Sequence, residues 1–149
     1  GEIQEGQVWE AAMSAPKLGA PDHPLDNLCV ILDENGIQLD GFVKKILELE
    51  PVADKWKSFG WPVVDVDGHD IAQVDKALDQ AESTTSGPTF IVAHTVKGKG
   101  VSFMENDPGW HGKARKPAEA IRPIDEIVAS PRPKWVEPVI AELQGLEKK

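Results

Sequence analysis

The sequence has 149 residues, a net charge of −9 and a pI near 4.9. This length suffices for one domain with a substantial core, and the acidic charge argues against nucleic acid or an anionic membrane as a partner. No apolar run approaches the ~20 residues of a membrane span, and no signal peptide is visible. Cys29 is the only cysteine, which excludes a disulfide within the chain and fits a reducing cytoplasm. Because Cys29 lies in an apolar run, we expect its side chain to be buried.

Helical and strand patterns alternate along the first hundred residues. In chain order they predict a helix over 5–18 that Pro16 ends or bends, a loop over 19–24, a strand over 28–32, a helix over 51–59, a strand over 61–66, a helix over 70–82 and a strand over 89–96. The helix over 70–82 is expected to bury one face, formed by Ile71, Val74, Ala77, Leu78 and Ala81. After Gly98 the chain becomes rich in glycine, proline and charge, and a final helix is predicted over 133–146.

This alternation predicts an α/β fold in which helices flank a parallel sheet. The run Leu28–Leu32 lacks the polar alternation of a half-exposed strand, so we expect it to be buried on both faces. We divide the chain into a domain over 1–116 and a C-terminal extension over 117–149 that includes the terminal helix.

Three loops follow the predicted strands, over 33–41, 67–70 and 97–100, and ligands of open parallel sheets bind beyond the carboxyl ends of the strands. Asn35-Gly36 suits the tight turn of a simple hairpin, but it also suits a polar loop at the end of a buried strand. The run Lys97-Gly98-Lys99-Gly100 suits a grip on phosphate, although such a run is more often a surface turn. His111 lies between glycines in a loop without apolar periodicity.

Five motifs occur together in one order: "GEIQEGQVWEAA", "DENGIQLDG", "VDGHD", "HTVKGKGVSFME" and "GWHGKA". In this order and spacing they resemble the thiamine-diphosphate-binding region of transketolase. The resemblance extends to about Lys116 and implies the diphosphate-binding domain of the thiamine-diphosphate-binding fold.

The resemblance implies a cofactor site and a metal site. A divalent cation, Mg²⁺ or Ca²⁺, would be bound by the side-chain oxygen of Asn35 and the carbonyl of Ile37, which are ligand types that Mg²⁺ accepts. Gly1 matches the third residue of the family's Gly-Asp-Gly motif, so the aspartate ligand is expected just upstream of this chain. The implied cofactor-binding residues are Gly1, Glu2, Asn35, Ile37, Leu39, Lys97 and His111.

The resemblance also implies roles in catalysis and substrate binding. His111, Glu5 and Glu10 match catalytic residues, and His111 and Lys113 match residues near the donor sugar. Without the motif, the favoured interpretation of Glu5 and Glu10 is that they are ordinary solvated helix residues. His69 is expected to organise the loop before a helix and His94 to lie in or end a strand, whereas no role is assigned to His23.

The implied activity is transfer of a two-carbon ketol unit from a ketose phosphate to an aldose phosphate, within the pentose phosphate pathway. The expected partners are the chain's own missing N-terminal segment and a separate pyrimidine-binding subunit, in a homodimer or heterotetramer, with sugar phosphates as substrates. Two alternatives stay open: a deoxyxylulose-phosphate synthase or dihydroxyacetone synthase with related motifs, and a non-catalytic scaffold of the same fold.

Overall fold

A computed structural model of the chain describes residues 1–20, 23–113 and 117–129. The described residues form two compact units, one over 1–96 and one from Lys97 onward. The division after residue 116 that the sequence suggested stays a prediction.

The first unit alternates helices with strands. Its helices are α1 (Gly6–Ser14), α2 (Val43–Ile46), α3 (Val52–Ser58) and α4 (Ile71–Ser83), with 3-10 turns at Glu2–Gln4 and Ala15–Lys17. Its strands are β1 (Gly19–Ala20), β2 (His23–Pro24), β3 (Cys29–Glu34), β4 (Ile37–Gln38), β5 (Gly41–Phe42), β6 (Val63–Asp67) and β7 (Thr89–His94). The predicted helices and strands of this unit are therefore present, with ends shifted by a few residues.

The central sheet has the order β3-β7-β6, and all three strands are parallel. In the register of the sheet, Leu32 and Asp65 both lie beside Val92 of the central strand. The remaining strands form two short antiparallel pairs, β1 with β2 and β4 with β5. The predicted α/β fold with a parallel sheet is confirmed.

Helices α1 and α3 cover one face of the sheet with an aromatic core. The Trp56 ring stacks on Phe90, with centroids 3.9 Å apart, and meets Trp61 edge-on at 4.8 Å. Trp61 Nε1 donates a hydrogen bond to the carbonyl of Ala12, at 2.7 Å, which ties α1 to the start of β6. Aromatic pairs in such geometries contribute beyond the area they bury, so this face holds the main core of the unit.

Helix α4 covers the opposite face of β6 and β7. Asp70 caps its N-terminus by accepting hydrogen bonds from the backbone N–H groups of Ala72 and Gln73, as a short polar side chain does at that position. Ala77 and Ala81 are buried against this face. The buried face of α4 is narrower than the sequence predicted, however, because Ile71 is 74% exposed and Leu78 is 43% exposed.

Strand β3 is less buried than predicted, both at Cys29 and along one of its faces. Cys29 is exposed and Ile31 is 56% exposed, while Val30 and Leu32 pack against the aromatic core. The strand is therefore buried on one face, not two. The reason is its position: among the described residues β3 is an edge strand, and α4 packs over β6 and β7 instead.

The second unit contains a 3-10 turn at Pro108–Trp110 and helix α5 (Pro117–Ala129). The sequence did not predict α5, because Pro123 in its interior indicates a break. The predicted helix over 133–146 lies outside the described residues. No helix within the described ranges is long and apolar enough to cross a membrane.

Candidate cofactor and metal site

The loop after β3 places two oxygen donors in one turn. Asn35 Oδ1 accepts a hydrogen bond from the backbone N–H of Ile37, at 2.9 Å, so the amide oxygen lies beside the residue whose carbonyl was predicted to bind the metal. Gly36 has a φ of +69°, a conformation that glycine adopts without strain. Asn35-Gly36 is thus the exit from a parallel strand, and the hairpin turn follows it between β4 and β5.

A hydrogen bond to Asp33 holds the Nδ2 end of the Asn35 amide. Asn35 Nδ2 donates to Asp33 Oδ2, at 3.4 Å, and the Thr95 hydroxyl donates to Asp33 Oδ1. The Thr95 backbone N–H donates to the carbonyl of Glu34, at 3.2 Å. These contacts join the carboxyl ends of β3 and β7, and no motif in the sequence indicated them.

The loop after β6 is bound to the end of β7. The N–H of Gly68 donates to the carbonyl of His94, at 2.8 Å, and a Cβ at Gly68 would lie 2.5 Å from Thr95 Cγ2. His69 Nε2 accepts the N–H of Val96, at 2.7 Å. His69 therefore organises this loop, as expected, by holding the segment that leaves β7.

Four of the predicted cofactor residues line one cavity of about 540 Å³ in the first unit: Gly1, Glu2, Asn35 and Ile37. Trp56, Phe90 and Val52 form part of its apolar wall, and Glu34 and Glu50 add carboxylates. Gly1 also lies against Gln38, because a Cβ on Gly1 would be 3.3 Å from Gln38 Cβ. The fold thus brings the start of the chain next to the loop after β3.

The other predicted residues of the first unit are outside this cavity. Glu5 precedes α1 and accepts a hydrogen bond from the side chain of Gln7, and Glu10 is exposed on the same helix. Leu39, at the turn between β4 and β5, is 66% exposed. These three side chains lie on the surface of the described chain.

Lys97, His111 and Lys113 belong to the second unit. The carbonyl of Lys97 accepts the N–H of Asn106, at 2.9 Å, and Glu105 accepts the N–H of Gly100, also at 2.9 Å. At least one backbone donor of the expected phosphate loop is therefore already engaged within the chain.

The exposed side chains of His111 and Lys113 share a loop that Trp110 anchors. Trp110 Nε1 donates to the carbonyl of Phe103, at 2.9 Å, and the two rings meet edge-on at 5.7 Å. Lys113 Nζ lies 5.5 Å from the centre of the Trp110 ring, in a cation–π contact. The tryptophan thus holds the loop while the imidazole of His111 stays accessible.

Comparison with known proteins identifies the family. A model described as the thiamine diphosphate binding domain of transketolase matches residues 1–135. The chain belongs to the transketolase family.

Curated transketolase relatives include proteins named as subunits. A 6-deoxy-6-sulfo-D-fructose transketolase subunit from a Clostridium species is 42% identical over 111 residues, which cover 74% of this chain and 38% of that protein. A subunit of the apulose-4-phosphate transketolase from Actinobacillus succinogenes is 39% identical over 127 residues, covering 85% of this chain and 44% of that protein. The chain therefore spans less than half the length of these relatives.

Solved transketolase structures have the same fold. The transketolase of Campylobacter jejuni superposes on 99% of this chain and 23% of its own length with a TM-score of 0.76 at 28% identity. The resemblance seen in the sequence motifs and the predicted fold are both confirmed.

The residues present fit, in part, the divalent cation that the sequence motifs imply. The Asn35 amide oxygen and residue 37 lie in one turn, and a diphosphate and water would complete an oxygen shell. Among the residues that the structure describes, no group of three or more His, Cys, Asp or Glu side chains is arranged to hold a metal. The two proposed ligands of this chain, the Asn35 amide oxygen and the Ile37 carbonyl, are both neutral, as the sequence motif implied.

His94 carries a pH dependence of stability. Its Nδ1 pairs with Glu34 and its Nε2 lies 3.2 Å from Asp65 Oδ1, so its ring links the three strands of the sheet. The hydrogen bond with Glu34 raises the pKa of His94 above its ordinary 6.5; partial burial opposes the rise, and Asp65 adds to it. Because the pKa of His94 is raised in the folded state, protonated His94 stabilises the fold fully below about pH 6.5. This stabilisation is lost as the pH rises through the pKa of His94 in the folded protein.

We therefore expect His94→Gln to lower the melting temperature at about pH 6 and to have a smaller effect at about pH 8.5. Thermal unfolding of both proteins across this range measures the difference. His111→Gln, at an exposed histidine of the second unit, is the matched histidine control. A His94→Gln effect that stays constant with pH would contradict the charged link.

Proposed function

We propose that this chain forms the diphosphate-binding part of a transketolase that moves a two-carbon ketol unit from a ketose phosphate to an aldose phosphate. The main support is the family match over residues 1–135 together with the turn that joins Asn35 to Ile37 at the carboxyl end of β3. Thiamine diphosphate, when bound, supplies the carbon nucleophile and the electron sink for carbon–carbon cleavage.

The roles of this chain's residues follow from that proposal. Asn35 and Ile37 bind Mg²⁺ or Ca²⁺, and Gly1, Glu2 and Leu39 contact the cofactor from the first unit. In the second unit, we propose that Lys97 binds the diphosphate, His111 exchanges protons with the sugar, and Lys113 binds the donor sugar. A histidine suits proton transfer because its ordinary pKa lies near neutrality.

The active assembly needs a partner. Curated relatives are named as transketolase subunits and are more than twice as long as their matched region. We propose that an upstream segment and a pyrimidine-binding subunit complete the site in a homodimer or heterotetramer, and that exposed Glu5 and Glu10 lie at the interface between subunits. The single cysteine is compatible with a cytoplasmic location.

The test is ketol transfer by the assembly and its dependence on Asn35. We expect the chain, coexpressed with its upstream segment and the pyrimidine-binding subunit, to consume a ketose phosphate and an aldose phosphate, and the chain alone to be inactive. Asn35→Ala removes an oxygen donor and should weaken thiamine diphosphate binding about tenfold or more at fixed Mg²⁺, measured by calorimetric titration.

One control variant and two contradicting outcomes complete the test. Gln38→Ala changes a side chain near the same turn without removing either proposed ligand and should leave cofactor affinity close to wild type. Turnover of pyruvate with glyceraldehyde 3-phosphate, but not of ketose phosphates, would replace transketolase by a synthase activity. Full ketol transfer by residues 1–149 alone would contradict the need for a partner.

A further inference from the structure

We propose that Asp33 is a positioning residue that orients the Asn35 amide toward the metal and is itself held by Thr95. The inference rests on the proposed function, since it requires Asn35 to be a metal ligand. It concerns which way the Asn35 side chain points, which the proposed function does not address.

The orientation follows from the chemistry of the two side chains. An amide group has a donating end, Nδ2, and an accepting end, Oδ1, whereas an ionised carboxylate can only accept. Asp33 lies beside the Asn35 amide, with Oδ2 at 3.4 Å from Nδ2. The carboxylate therefore favours the arrangement in which the NH₂ group faces β3 and the oxygen faces the turn.

In this orientation the Asn35 amide oxygen can still bind a second partner. Asn35 Oδ1 accepts the Ile37 N–H at 2.9 Å, and a carbonyl oxygen has a second lone pair for another partner. If the amide were reversed, its NH₂ group would face the Ile37 N–H, and the amide oxygen would face Asp33 instead of the turn. Asp33 and the Ile37 N–H thus both favour the orientation in which Asn35 presents its oxygen at the turn.

Asp33 is fixed from the neighbouring strand. Its Oδ1 accepts the Thr95 hydroxyl, and the Thr95 N–H donates to the carbonyl of Glu34, at 3.2 Å. Thr95 follows the end of β7, which pairs with β3 along its full length. The sheet register therefore sets the position of Asp33, and Asp33 supports the orientation of Asn35 from the donating end of its amide. Outer partners of metal ligands commonly change metal affinity 10–100-fold when they are removed.

The experiment measures Mg²⁺ affinity in the complete assembly at saturating thiamine diphosphate, by calorimetric titration. Asp33→Asn should weaken Mg²⁺ binding about tenfold, because a second amide accepts either orientation of Asn35. Thr95→Val should weaken it in the same direction by a smaller factor, and Thr95→Ser, which keeps the hydroxyl, should restore wild-type affinity. Asp40→Asn removes the same charge from an exposed position between β4 and β5 and should leave the affinity unchanged.

A double-variant cycle tests the route of the effect. If Asp33 acts through Asn35, Asp33→Asn/Asn35→Ala binds Mg²⁺ no more weakly than Asn35→Ala alone. Losses that add in the double variant would overturn the inference, because Asp33 would then act on the metal independently. Thermal unfolding of each variant shows whether the fold is kept. Thr95→Val is isosteric and Thr95→Ser keeps the hydroxyl, so both are expected to fold.

The two proposals fail in different ways. Unchanged Mg²⁺ affinity in Asn35→Ala would contradict the metal role of Asn35 and with it the proposed site. Weakened binding in Asn35→Ala but wild-type binding in both Asp33→Asn and Thr95→Val would overturn only the positioning role of Asp33.

Discussion

Replacing Trp56 with alanine is expected to lower the free energy of unfolding by about 3–5 kcal/mol. Trp56 is only 2% exposed and contacts Trp61 and Phe90 at ring distances of 4.8 and 3.9 Å. Alanine would leave a large void between α3 and the sheet and would remove the flat stack on Phe90. Urea unfolding followed by far-UV circular dichroism measures the change.

Two neighbouring variants make the test specific. Trp56→Phe keeps a ring against Phe90 and should lose clearly less stability than the alanine variant. Lys57→Ala, at an exposed residue of the same helix, should have little effect because surface substitutions usually change stability by less than about 0.5 kcal/mol. A loss below about 1 kcal/mol in Trp56→Ala would show that the aromatic core can close over the void.

His111→Ala is expected to lower kcat/KM of the proposed assembly by roughly ten- to a hundredfold. The loss of one charge-assisted hydrogen bond to substrate or cofactor, about 1.5–3 kcal/mol, accounts for this range. The side chain is exposed in a loop that Trp110 ties to Phe103, so its removal should leave the loop in place. Steady-state kinetics with a ketose phosphate donor measures the effect.

The kinetic constant that changes in His111→Ala indicates the role of His111. A lower kcat with unchanged KM would indicate a role in the transition state, whereas a higher KM alone would indicate uniform substrate binding. His23→Ala, in β2 and without an assigned role, is the matched histidine control. Wild-type kinetics in a correctly folded His111→Ala enzyme would remove His111 from the proposed site.

The local elements were predictable because their causes are local. The apolar period that begins at Ile71 predicted α4, and the apolar runs around Ile31 and Ile91 predicted β3 and β7. The parallel sheet followed from their alternation. Helix α5 was missed because Pro123 is an interior helix breaker in most contexts.

What covers an element could not be predicted from the element itself. Cys29 and Ile31 look like core residues in the sequence, yet the edge position of β3 leaves them exposed. Ile71 fits the apolar period of α4 but is exposed, because the helix buries a narrower stripe than its sequence offers. Such outcomes depend on strand order and helix placement, which no short window encodes.

The candidate site also contains local features that could be predicted and long-range contacts that could not. The turn at Asn35-Gly36 could be predicted, since an Asn-Gly pair at the end of an apolar run is visible in one stretch. The metal roles of Asn35 and Ile37 came from the family resemblance and stay a prediction. The contact of Thr95 with Asp33 joins residues 62 positions apart and depends on the register of β3 against β7. The one available signal was that both residues stand at the carboxyl ends of predicted strands.

The aromatic core also gives the chain a built-in optical probe. The sequence has five tryptophans and no tyrosine, so its intrinsic ultraviolet emission comes almost entirely from indole rings. Three of them, Trp9, Trp56 and Trp61, lie close together in the first unit, and Trp56 also lines the cavity beside Asn35. A molecule that enters this cavity would change the surroundings of an emitting ring, so occupancy can be followed by fluorescence without attaching a dye.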